Sequence, residues 1–158
     1  MSGLTPDANK DLVRHEYEHA WRNADVDRLD ESCSPSLVLY GLPTSGKSAD
    51  LDQFKDFVSS CHDAFPDLDY EIDDLVAEDD TVVARSTFSG THDGDRFLHA
   101  ESDGANVSIG STVSYRIEDG NVAEMWVCFD TLGLLQQLGA VPEHPEAYEW
   151  EQIGEHHS

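Results

Sequence analysis

The stretch Gly41-Leu42-Pro43-Thr44-Ser45-Gly46-Lys47-Ser48 satisfies G-x-x-x-x-G-K-[ST] in full. In that pattern backbone N–H groups and the lysine cradle phosphates, and the final hydroxyl binds magnesium. The run from Met125 to Phe129, closing on Asp130, imitates the apolar strand whose terminal aspartate would hold the metal. Such a loop needs a parallel sheet with strand–helix–strand crossovers. Downstream of residue 66, however, strand patterns follow one another directly, with no helical pattern before Thr131. Nucleotide binding is therefore the third of three readings. Three single residues could do acid–base work. Asp130 ends the last strand and also suits the N-cap of a closing helix. His92, in Gly90-Thr91-His92-Asp93-Gly94, reads as a pocket acid/base or, more simply, as a surface-turn histidine. Tyr40 could aim a hydroxyl into a pocket mouth or plug it. His15 and His19 have metal-ligand spacing, but no third ligand stands nearby, so a solvated helix face is expected and no metal.

The elements that must position these residues fall into two blocks. The first is helical. Thr5-Pro6 opens a helix with Val13, Tyr17, Ala20 and Ala24 on one face and Trp21 beside them. A short helix over 26–33 follows, then a strand over 37–40, the Gly- and Pro-containing loop, and a helix over 51–65 capped by Ser48 that carries Leu51, Phe54, Phe57, Val58, Cys61 and Phe65. From Leu68 onward the period changes from 3.6 to 2. Strands run to Ala77, with a break at Asp73-Asp74, and over 82–91, with a turn at Asp79-Asp80 between them. The segment 92–105 reads as a loop with a strand tip at Phe97-Leu98. The strand over 107–117 pairs through Asp119-Gly120 with the one over 122–129. In that last strand Met125, Val127 and Phe129 alternate with Trp126 and Cys128. The first set is assigned to the interior and the second to a partner subunit. Leu132, Leu135 and Leu138 are placed on one face of a closing helix that stops at Gly139. Helices first and antiparallel strands afterwards describe an α+β domain whose curved sheet is closed on one side by helices, leaving a pocket between the layers.

The chain of 158 residues carries 33 Asp and Glu against 9 Lys and Arg, a formal net charge of −24. A surface of that sign repels phosphate, so nucleic acid and anionic membrane are excluded as partners. The acid is spread through the sequence, the habit of proteins that work in molar salt, where screening extends over about 3 Å. A halophilic source is expected. Three cysteines at no metal-like spacing suggest buried thiols in a reducing cytoplasm. No apolar run approaches the roughly 18 residues of a membrane span. One domain over 1–140 and an acidic tail over 141–158, packing locally through Tyr148 and Trp150 or frayed, complete the organisation.

The pieces Arg14 to Trp21 (RHEYEHAW), LVLYGLPTSG, AFPDL, DDTVVARSTFSGTHDG and YRIEDGNVAEMWVCFDTLGLLQQLG together resemble the SnoaL-like polyketide or ester cyclase branch of the NTF2-like fold, from about Asn9 to Gly139. The resemblance implies a cone-shaped α+β barrel with helices on the concave face of the sheet. It further implies a pocket for a small apolar molecule, no cofactor, and assembly as a homodimer through the outer face at Trp126 and Cys128. Its cyclases use an aspartate on the last strand and a histidine on the preceding one. Counted back from Asp130-x-x-Gly133-x-Leu135-x-Gln137-Leu138-Gly139, those positions are Val127 and Val113. Tyr17, Trp21, Phe57, Val113, Val127 and Phe129 are the expected pocket walls. A cofactor-free cyclase, isomerase or hydrolase is the first reading, and a non-catalytic ligand-binding or scaffold domain the second.

Overall fold

The computed structural model describes residues 5–43 and 46–142; the tail from 143 onward lies outside them. Helix α1 spans Pro6–Tyr17, with Thr5 as N-cap accepting a hydrogen bond from the Ala8 N–H and Pro6 in the first turn. A π-helical turn over Glu18–Arg22 continues it, and a 3₁₀ turn over Val26–Glu31 leads to strand β1, Cys33–Tyr40. Helix α2 follows at Leu51–Ala64. Then come β2 (Asp69–Glu78), β3 (Thr81–Thr91), β4 (Asn106–Glu118), β5 (Asn121–Phe129) and helix α3 (Thr131–Gln137). Asp119 and Gly120 close the β4–β5 hairpin with φ of 52° and 79°, the two left-handed positions of a type I′ turn.

The five strands form one curved mixed sheet in the order β1-β5-β4-β3-β2. β2 to β5 pair antiparallel in sequence order. β1, expected as part of an antiparallel sheet, joins β5 parallel. That pairing is possible because α2 and three strands intervene, the long crossover a parallel pair needs. β1 is an edge strand, which is why it can include Pro35 and start four residues before the alternation becomes regular. Asp73-Asp74 is a bulge, not a break: the register shifts between Ile72 and Asp74 while β2 continues to Glu78. A second bulge lies between Arg116 and Ile117. Bulges increase bend and twist, and here they curve the sheet around the helices.

The inward side chains of β1, β3, β4 and β5 meet Val13, Tyr17, Ala20 and Trp21 of the first helix and Phe54, Phe57, Val58 and Cys61 of α2 in one hydrophobic core. Two further corrections concern helix ends. The N-cap of α2 is Asp50, in a reciprocal capping box with Gln53, and not Ser48. In α3 the buried residues are Leu134 and Leu138, whereas Leu132 is 56% exposed; i,i+4 spacing rather than i,i+3 selects the inner face of so short a helix.

Candidate active site

The π-helical turn after α1 adds a residue to the helical register and carries Trp21 inward beside Tyr17, a local irregularity that recurs at functional sites. Tyr17, Trp21, Phe57, Val113, Val127 and Phe129 all border one cavity between helices and sheet, with about 260 Å³ of space among its walls. It is narrow enough to admit only about one water, so a ligand must part the side chains. Beyond Phe57 and Phe129, whose ring centroids are 6.0 Å apart, lies a second, equally narrow apolar pocket walled by Pro43, Cys61, Phe97 and Leu134.

The polar groups of the first cavity are Glu16, Tyr17, Tyr70 and Tyr115. Across the β4–β5 ladder Tyr115 pairs with Met125, Val113 with Val127 and Ser111 with Phe129. The phenol of Tyr115 donates a hydrogen bond to Glu16 Oε2 at 3.3 Å. Glu16 is therefore held one step along the same inward row from Val113 and Val127. Its Oε1 is buried with no hydrogen-bond partner. Tyr17 hydrogen-bonds Ser86 at 2.9 Å, and Tyr70 bonds Ser111. Those two serines are cross-strand neighbours, so the two phenols are fixed side by side.

Burial dominates the electrostatics. The fully buried Glu16 carboxyl is pushed up to about 8, against a smaller opposing effect of the Tyr115 hydrogen bond. Burial, and next the nearby Glu16, raise Tyr17 to about 12. Tyr70 and Tyr115 are raised for the same main reason, as is the Cys33 thiol behind them. At neutral pH the phenols are neutral donors, and Glu16 is a carboxyl that releases its proton only near pH 8. A titratable group tuned toward neutrality inside an apolar cavity is the signature of acid–base chemistry.

The three residues expected to carry chemistry are elsewhere. Asp130 is exposed and accepts from the Gly133 N–H at 2.9 Å, capping α3. Tyr40 stacks on Trp126, with centroids 5.8 Å apart and planes 17° apart, because β1 pairs Tyr40 with Trp126 on the face opposite Val127. His92 is neither a surface-turn residue nor a wall of either cavity. It is fully buried under the β3–β4 loop, its Nε2 2.7 Å from the Asp95 carbonyl and its own carbonyl accepting from Gly104 N–H and Ser102 Oγ. Glu16 was missed although its signal was present: it lies three residues after Val13 and four before Ala20, on the same stripe of the first helix. His19 is buried too, not solvated, and Nδ1 lacks a partner. Among the described residues no cluster of three or more His, Cys, Asp or Glu is placed to hold a metal. Two residues beyond the phosphate-loop pattern, of which Thr44 and Ser45 lie outside the described residues, the Asp50 carboxylate caps the α2 N-terminus, where an anion would be repelled. Gly41, with φ of +95°, packs its Cα against the Val127 carbonyl so closely that no Cβ fits. Its glycine therefore serves strand packing.

The family model of SnoaL-like polyketide cyclases matches residues 11–138. No curated protein matches. Among solved structures, TsrD from Streptomyces laurentii is 30% identical, with 87% of this chain and 99% of that chain covered and a TM-score of 0.76. AclR from Streptomyces galilaeus, a candidate hydroxylase, is 28% identical over 97% and 98% of the two chains, with a TM-score of 0.77. IdmH from Streptomyces antibioticus, a candidate polyketide cyclase, is 25% identical over 83% and 98%, with a TM-score of 0.71. The sheet and helices agree with these matches, and the chain belongs to the SnoaL-like polyketide cyclase family.

Proposed function

We propose that this protein transforms a small, neutral, mainly apolar carbonyl compound by cofactor-independent acid–base chemistry, of the ring-closing or double-bond-shifting kind. The observation that supports it is that one glutamate and three tyrosines line a cavity whose other walls are apolar. Such groups cost free energy to bury, and a cavity that only held an apolar ligand would have no use for a carboxyl. Moving a proton beside a carbonyl needs one tuned acid/base and hydrogen-bond donors for the developing oxyanion. The competing reading, a ligand-binding domain without turnover, draws on Val113 and Val127, which replace the histidine and aspartate that the family resemblance assigns to those positions.

The two readings separate with a small apolar ketone as probe, one that parts the cavity's side chains as any ligand must. In molar KCl, α-deuterated β-tetralone should lose deuterium to water at least tenfold faster with the protein than with buffer alone, followed by proton NMR. Quenching of Trp21 fluorescence reports binding independently. Quenching with no faster deuterium loss would favour the non-catalytic reading.

A further inference from the structure

Resting on the catalytic reading of the cavity, the question is which group moves the proton when Val113 and Val127 cannot. Three observations converge on one side chain. Glu16 is the only carboxyl among the described residues that line the cavity. It is fully buried, and one of its oxygens is committed to Tyr115 while the other, Oε1, has no partner. The β4–β5 register places Tyr115 two residues along the inward face from Val113, which itself opposes Val127. The helix thus delivers a carboxyl beside the wall from which the strand's carboxyl is missing. A buried, unpartnered carboxylate oxygen is costly unless a ligand or a proton meets it, and a structural role for Glu16 would have used both oxygens.

We propose that Glu16 is the catalytic carboxyl of this protein, taking the part of the group absent at Val127, and that Tyr115 is its positioning residue. The step balances without a co-reactant. Glu16 Oε1, as carboxylate, takes a proton from the carbon next to a ligand carbonyl. The C–H electron pair becomes the enolate double bond, and the charge passes to the carbonyl oxygen, which accepts hydrogen bonds from the phenols of Tyr17 and Tyr70. When the enolate carbon attacks a second carbonyl in the same molecule, Oε1 returns the proton to the new alkoxide. When it does not, the proton returns to carbon and the outcome is isomerisation or isotope exchange. The ionisable groups facing Glu16 are Tyr17 on its own helix, Tyr70 from β2, Tyr115 from β4 and Cys33 from β1. All are neutral in the range of interest, so the pH dependence belongs to the carboxyl.

Deuterium washout from β-tetralone tests this with variants of the whole chain in molar KCl. For the native protein the rate above buffer should rise with pH and level off above about 8, where Glu16 is ionised. Glu16→Gln should lose about 100-fold or more, the lower end of what a general base supplies, while Trp21 quenching by the ketone persists. Glu16→Asp, with the carboxyl drawn back by one methylene, should retain a measurable part of the rate; it also decides the matter if the amide variant does not fold. Tyr115→Phe removes the donor that favours the carboxylate, so the rise should move to higher pH. A folded Glu16→Gln within threefold of native, or a Glu16→Asp indistinguishable from native in rate and profile, would overturn the assignment and leave the catalytic reading standing. An unmoved profile in Tyr115→Phe would overturn the role given to Tyr115. A native protein no faster than buffer would remove the catalytic reading itself, and the assignment with it.

Discussion

At the scale of single residues, the burial of Glu16 has a stability consequence of definite sign in the range around neutral pH. Its carboxyl is raised to about 8 in the folded chain from an ordinary value of 4.5. Between those values the folded protein holds a proton that the unfolded chain has released, so the unfolded state binds fewer protons and stability falls as pH rises. The loss begins near pH 4.5 and is complete a little above pH 8. A melting series from pH 5 to 8 should therefore show a decline that is smaller in Glu16→Gln than in the native protein, by on the order of 5 °C for a domain of this size. Histidines and surface carboxylates titrate equally in both proteins and cancel in the difference. Parallel curves would mean that Glu16 is ionised in the folded state.

Among the elements, what was legible in the sequence follows from period. Strict alternation in β4 and β5 separates Met125 and Val127, which border the cavity, from the exposed Trp126 and Cys128. The Asp119-Gly120 turn and the Thr5-Pro6 helix start are equally local signals. Three things were not local. The parallel seat of β1 beside β5 depends on a crossover through most of the chain, and it alone turns Tyr40 outward onto Trp126. The burial of His92 depends on loop backbone that folds over it, including Gly94, whose N–H reaches the Ala64 carbonyl at the end of α2. Glu16 was passed over because a glutamate on a helix is ordinarily solvated; helical spacing from Val13 and Ala20 pointed inward, and the residue type pointed outward. Spacing won because Tyr115 supplies a hydrogen bond to one carboxyl oxygen and burial keeps the group protonated.

For the whole molecule, the formal charge of −24 on 158 residues is the dominant property. Eight ion pairs among the described residues use six of the nine basic side chains, four of the six exposed, and exposed pairs stabilise little. Self-repulsion should therefore be relieved by salt: raising KCl from about 0.1 M to molar concentration shortens the Debye length from about 10 Å to about 3 Å. The melting temperature should climb with it, and a value independent of KCl would contradict a surface adapted to high salt. No helix among the described residues is long and apolar enough to cross a membrane. Carbon-13 NMR of side-chain-labelled glutamate in molar KCl, with the Glu16 signal identified by its absence in Glu16→Gln, tests the central claim most directly. A Glu16 resonance titrating near pH 8 is the expected result, and one titrating at its ordinary value of 4.5 would contradict the assignment.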